Sequence, residues 1–368
     1  MAFYKDFRNS YYYPVGHEKP GEAGWIAKHL LDLRAQLRTE IKANRTPNSL
    51  IIGSWNTKHF DGGRPRLPES FHYIAEIIDH FDICALQEVK NIWAVERLSR
   101  LLGPNWDFFI NDSSKVGRGN NERMAYLYNT NKVQFRNLIG ELMFDQRDLT
   151  GDEPVSRAPF FASFQAGWFK FTLCGAHIAS KDEAGRPSRA EEIKLITEEL
   201  ADRAKVEDQV YIFLGDMNTD DREHPAYKAI EENGFSVPKF PPTNSTGEKY
   251  FDLIAFAGPE NISNRLAHGA INYYNSVFTD TEKDDYEPLS KVMKGRPSSE
   301  NSNYWKFHRD SYTAIKNGDL GEGYADWDSE YSSWRTNEMS DHLPVWIELL
   351  TDYSDSYLEQ FITDAGEV

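Results

Sequence analysis

Val210-Tyr211-Ile212-Phe213-Leu214-Gly215-Asp216-Met217-Asn218 is an apolar run, read as a strand, that ends abruptly in a glycine and two polar side chains. The glycine allows close backbone approach. Asp216 and Asn218 are two residues apart, so an extended backbone would point both to one side. Asp and Asn also suit a plain strand-to-loop turn, and both readings stand here. The same design recurs along the chain. Ile51-Ile52-Gly53-Ser54-Trp55 leads to Asn56, and Ile83-Cys84-Ala85-Leu86-Gln87 leads to Glu88. Phe171-Thr172-Leu173-Cys174-Gly175-Ala176 leads to His177, and Met339-Ser340-Asp341-His342 stands just before Leu343-Pro344-Val345-Trp346. Chemistry gathered from several strand ends is how an α/β scaffold assembles a site for metal and phosphate.

Working outward, strands and helices alternate. Helical spacing predicts helices near 23–44, 68–80, 92–102, 188–204 and 223–232. Strands are expected at 50–55, 82–87, 106–110, 124–128, 132–139, 160–164, 168–176, 210–214, 250–256 and 345–349. This mixture predicts an α/β fold, a four-layered sandwich of two packed mixed β-sheets flanked by helices. Residues 1–48 read as an N-terminal helical extension packed on the core, 49–350 as the main domain and 351–368 as a C-terminal tail. Within the domain, 275–335 is polar, charged and aromatic, with Tyr304, Trp305, Tyr324, Trp327, Tyr331 and Trp334. Its aromatic content argues against disorder, so an ordered insertion beside the site is expected.

Bulk properties set bounds. Hydrophobic residues make up 40% and aromatic residues 14% of 368, enough to fill a sizeable core. The mean hydropathy of -0.64 and the lack of an apolar run near the roughly 18 residues of a spanning helix argue against a membrane protein. The start, Met1-Ala2-Phe3-Tyr4-Lys5, has no basic segment followed by an apolar one, so a cytoplasmic location is expected. Cys84 and Cys174 lie in apolar strands and read as buried free thiols. A net charge of -17 argues against a general nucleic-acid binder but suits an enzyme that meets phosphate through bound cations.

Phosphodiester cleavage requires hard oxygen ligands for a divalent cation, a base for the attacking water, an acid for the leaving oxygen and donors for the phosphoryl charge. The chain offers a candidate for each task. Taken singly, each also has an ordinary explanation. Glu88 could close a strand at the surface, Asn56 could serve a turn, and His177 could be a satisfied core residue. Asp252, inside Tyr250-Phe251-Asp252-Leu253-Ile254, needs a partner if buried, and a histidine is a natural one.

Taken together and in this order, Asn56, Glu88, His177, Asp216-x-Asn218, Asp252 and Ser340-Asp341-His342 resemble the endonuclease/exonuclease/phosphatase superfamily. The resemblance runs from about residue 50 to 350, and its look is closest to deoxyribonuclease-I-like nucleases. Glu122-Arg123-Met124-Ala125-Tyr126-Leu127-Tyr128 resembles the segment whose arginine contacts substrate phosphate. Ser156-Arg157-Ala158-Pro159 resembles the start of the strand leading to the catalytic histidine.

The resemblance implies a set of roles. Glu88, Asn56 and Asp341 bind a divalent ion, Mg2+ with Mn2+ as a substitute. His342, oriented by Asp252, activates water. His177, held by Asp112, protonates the leaving oxygen or stabilises the transition state. Asp216 and Asn218 position water and phosphate oxygens, and Arg123 and Asn56 bind phosphate. It implies a metal-dependent endonuclease acting on a nucleic acid, DNA before RNA, with no membrane and no obligate protein partner. Arg64, Arg66, Arg118 and Arg123 are candidates for backbone contact, and Tyr304, Trp305 and Trp327 either stack on bases or pack the insertion. A phosphatase or phospholipase acting on inositol phosphates or sphingolipid is the alternative reaction. An inactive binding module is the alternative of another class. The long insertion, the extra N-terminal residues and the missing disulfides of secreted members are departures from the compact deoxyribonuclease plan.

Overall fold

The computed structural model describes residues 2–41, 48–62, 64–112, 121–144, 157–182, 184, 186–207, 209–258, 265–292, 295–319, 326–352 and 354–364. Arg118, Ser156 and Tyr324, singled out in the sequence, lie outside these.

One sheet runs in the order β10-β11-β1-β2-β4-β3. Its strands are β1 (Ser49–Phe60), β2 (Ile83–Val89), β3 (Trp106–Ile110), β4 (Arg123–Asn129), β10 (Arg265–Ala270) and β11 (Val345–Leu350). The other runs β5-β6-β7-β8-β9, from β5 (Gln134–Glu141), β6 (Phe160–Ala166), β7 (Phe169–His177), β8 (Val210–Asp216) and β9 (Asp252–Ala257). Each sheet contains one parallel pair, β1 with β2 and β7 with β8, flanked by antiparallel neighbours.

The two faces of β1 show why the fold is layered. Leu50 and Ile52 join the apolar cluster between the sheets, while Ile51 and Trp55 join the cluster under the helices. This is the alternation of a strand. Burying each such side chain contributes roughly 1.5–3 kcal/mol, and all four are 0–1% exposed. On the inter-sheet side lie Phe160, Phe164, Leu173 and Ile212, and beyond the second sheet lie Ile193, Ile196 and Leu200 of α4 (Arg189–Glu207), with α5 (Pro225–Glu232) beside it. On the opposite side lie α1 (Ala23–Glu40), α2 (Pro68–Ile78) and α3 (Ile92–Leu102). Two packed sheets between helical layers are what the sequence predicts. Ile26, Leu30, Leu33 and Leu37 of α1 are buried in the same cluster as Phe71 and Ile74 of α2, so the N-terminal helix is part of this core.

The 275–335 segment carries α6 (Lys283–Val292), α7 (Tyr304–Asn317) and most of α8 (Trp327–Glu338). Tyr304 is 1% and Trp327 7% exposed, and Trp305 packs against the core cluster. Of the two uses open to these aromatic residues, the structure shows packing. The last described stretch forms α9 (Ser354–Asp364). Cys84 and Cys174 are buried free thiols. Among the described residues, no helix is long and apolar enough to cross a membrane.

Candidate functional site

The carboxyl ends of the two parallel pairs open on the same side of the sandwich. β1 and β2 deliver Asn56 and Glu88, and β7 and β8 deliver His177 and Asp216, which are direct register partners. β9 begins at Asp252, opposite Asp216, and His342 stands just before β11. Gly215 makes the close pairing of β7 and β8 possible. Its φ is 131°, and a Cβ there would meet the Ala176 carbonyl oxygen at 2.0 Å.

Asp216 is the centre. It is 1% exposed. Its Oδ2 accepts from Asn56 Nδ2 at 2.8 Å and lies 3.6 Å from His177 Nε2 and 3.7 Å from His342 Nε2. Glu88 Oε1 accepts from the same Asn56 amide at 2.9 Å and lies 3.8 Å from His177 Nε2. Two imidazoles therefore flank one carboxylate, with a second carboxylate alongside.

Each imidazole has its own carboxylate behind it. His342 Nδ1 lies 2.9 Å from Asp252 Oδ2. Trp55 Nε1 and the Tyr273 hydroxyl each donate to the His342 carbonyl at 2.9 Å, which fixes the loop. Burial opposes charge on His342, but Asp252 and then Asp216 outweigh it, so its pKa rises above the ordinary imidazole value. Burial likewise raises Asp252. The two neighbouring carboxylates thus favour the charged form of the His342 ring.

Behind His177 the structure corrects the sequence. Asp112 was expected to orient this ring, but its side chain is 97% exposed and lies 3.8 Å from Arg123. Glu122 takes the position, with Oε2 at 3.3 Å from His177 Nδ1. It is held by Arg157 Nε and Nη2 at 3.0 and 2.8 Å and by Lys90 Nζ at 3.2 Å. Burial works against its charge, yet His177, His59 and Arg157 bring its pKa below the usual carboxylate range. The sequence signal was present, since Glu122 immediately precedes β4, but only the fold shows which acid meets the ring.

Three further roles change. Asn56 was expected to ligate metal or bind phosphate. Its Nδ2 instead donates to both Glu88 and Asp216 while its Oδ1 accepts from Lys58 N at 2.9 Å. It is a brace between two carboxylates. Asn218 has φ 49°, so the backbone leaves the extended form after Asp216. Its N–H donates to Asp216 Oδ1 and its Nδ2 to the Ile178 carbonyl, at 2.9 and 2.8 Å. The turn reading holds, and Asn218 secures the loop. Arg66, offered as a nucleic-acid contact, is 1% exposed and donates to the carbonyls of Thr57, Lys58 and Met339.

Hard oxygen donors define where a cation fits. Among the described residues, three groups bring ligand atoms within 4.8 Å of one another: His59, Glu88 and Glu122; Glu88, His177 and Asp216; Asp216, Asp252 and His342. Asp341, expected as a ligand, belongs to none of them. It is 45% exposed and pairs with Lys58 Nζ at 3.2 Å. The middle group suits a divalent ion, with two carboxylates on one side of an imidazole. Burial raises the Glu88 pKa, but the His59 hydrogen bond and the His177 charge reverse this and keep it anionic. His59 was missed by sequence reasoning. Its ring lies between Glu88 and Glu122 at 3.0 and 3.6 Å, and these acids, Glu122 foremost, lift its pKa to about 9. Beside His177, a small cleft is lined by Arg123, Arg157, Asn111 and Glu141 among others.

The sequence profile of the endonuclease/exonuclease/phosphatase family matches residues 53–247. That stretch holds Asn56, Glu88, Glu122, His177 and Asp216. Among solved structures, the chain is similar to an endonuclease/exonuclease/phosphatase family protein of Bacteroides thetaiotaomicron. The TM-score is 0.51 at 16% identity, over 83% of this chain and 98% of that one. It is also similar to a mannosyl-6-phosphatase of the same organism, with TM-score 0.51 at 16% identity over 82% and 99%. At this identity the likeness is one of fold. No curated protein matches the chain in sequence.

Proposed function

Because the chain belongs to the endonuclease/exonuclease/phosphatase family, whose members hydrolyse phosphoester bonds, we propose that it is a divalent-metal-dependent phosphodiester hydrolase that cuts DNA internally. One observation carries this reading: His177 with Glu122 and His342 with Asp252 converge on Asp216 beside Glu88.

Glu88 and Asp216 would hold the cation, which supplies positive charge to the phosphoryl oxygens. The protein's groups divide the remaining work. His342, protonated and braced by Asp252, donates to a phosphoryl oxygen as its charge grows. Asp216, set between two imidazoles, takes the proton of the attacking water. His177, backed by the anionic Glu122, returns a proton to the leaving oxygen. Asn56 keeps Glu88 and Asp216 in fixed relation, so little reorganisation accompanies the reaction. Arg123, 19% exposed at the cleft beside His177, suits a flanking phosphate of a polymer, which favours a diester over a small monoester.

The test is incubation with supercoiled plasmid, single-stranded DNA, RNA, bis-p-nitrophenyl phosphate and inositol phosphates, with Mg2+ or Mn2+ and with EDTA. Plasmid nicking abolished by EDTA is expected. Phosphate release from inositol phosphates with the plasmid intact would replace the nuclease reading with a phosphatase.

A further inference from the structure

The segment after Asn56 adopts a conformation that its residues rarely choose. Lys58, His59 and Asp61 have φ values of 42°, 45° and 52°, a region where non-glycine residues are uncommon. The pairing of β1 with β2 shifts register between Asn56 and Phe60. The surroundings hold this bulge in place. Buried Arg66 clasps the carbonyls of Thr57, Lys58 and Met339, and Asp61 accepts from the backbone of Arg66 and Ser299 at 3.3 and 3.1 Å. Backbone strain persists only where such contacts over-determine it, and it gathers at functional sites.

The bulge delivers one side chain to a defined atom. His59 donates its backbone N–H to Glu88 Oε2 at 2.8 Å, and its Nδ1 lies 3.0 Å from the same oxygen. The other oxygen, Oε1, faces Asn56 and the His177–Asp216 side. Glu88 itself has φ 58°, so both partners reach this contact through unusual backbone. A free carboxylate presents two equivalent oxygens and rotates. One gripped at Oε2 from two directions presents only Oε1.

We propose that His59 is a positioning residue for Glu88, and that its imidazole selects Oε1 as the atom offered to the cation. The proposal rests on the assignment of Glu88 as a metal ligand. Removing a group that orients a metal ligand commonly weakens affinity by about 10–100-fold.

Mn2+ titration by calorimetry on the full chain, with no substrate present, tests it. Glycine accepts φ 45° without strain, so His59→Gly keeps the backbone N–H and removes only the ring. Asparagine tolerates positive φ and restores a side-chain donor. Mn2+ affinity should fall about 10–100-fold in His59→Gly and largely return in His59→Asn, with unchanged melting curves. Unaltered affinity in His59→Gly overturns the proposal, as does a loss that His59→Asn fails to recover. Glu88→Ala binding Mn2+ as wild type would sink the ligand assignment itself, and this proposal with it.

Discussion

Glu122→Gln separates the sequence expectation for His177 from the structural one. The substitution preserves shape and removes charge from a side chain that is 3% exposed. At 3.3 Å and an effective dielectric of about 20, a carboxylate attracts an imidazolium by about 5 kcal/mol. That is a ceiling, because Arg157 and Lys90 already neutralise part of the Glu122 charge. Roughly half of it, about 2.7 kcal/mol, corresponds to a loss of about 10²-fold in kcat. Asp112→Asn, at a 97% exposed position, should change kcat by less than about twofold. The assay is steady-state hydrolysis of bis-p-nitrophenyl phosphate in saturating Mg2+, with circular dichroism to confirm the fold. A Glu122→Gln enzyme close to wild-type rate, or an Asp112→Asn enzyme equally impaired, would refute the Glu122 assignment.

Two further outcomes concern stability. Glu338 is buried and accepts from Leu67 N at 2.7 Å, Ser70 Oγ at 3.1 Å and Arg296 Nη2 at 2.8 Å. Glu338→Ala strands the Arg296 charge and should lower stability by about 3–5 kcal/mol in urea unfolding; a loss below about 1 kcal/mol would show that the insertion does not brace the loop before α2. His72 is fully buried, and burial first, then Arg97, lowers its pKa to about 3. The unfolded chain then binds a proton that the folded chain refuses, so stability falls as pH drops from about 6.5 toward 3, by up to about 5 kcal/mol. His72→Gln should flatten the urea-derived slope by about 1.4 kcal/mol per pH unit in this window, and an unchanged slope would count against the buried neutral ring.

The parts of this protein that were legible in its sequence are those where a local pattern sets the outcome. Apolar runs ending in Asn56, Glu88, His177 and Asp216 form buried strands whatever surrounds them, and parallel pairing brings their ends together. Asp252 was legible as a buried carboxylate that needs a histidine partner, and the choice of His342 came from the family resemblance. The hidden parts depend on contacts distant in sequence. Glu122 and Asp112 flank the same region of chain, and nothing local decides which one turns toward His177. The positive φ of Lys58 and His59 is imposed by Arg66 and Met339, and neither residue type announces it. Helices α6 to α8 were obscured by their charge and by Pro288 inside α6. The strand β10 contains Gly269 and lies at a sheet edge, where the apolar signal is weak.

The most direct test of a single cooperative centre is a double-mutant comparison of plasmid nicking rates for His177→Ala, Asp216→Asn and the two combined. Groups that act as one unit lose most of their effect together. The combined variant should therefore be no slower than Asp216→Asn alone, each single change having removed about 10²–10⁴ of the rate. Losses that simply multiply, or a combined variant that still nicks DNA at near wild-type speed, would contradict the account.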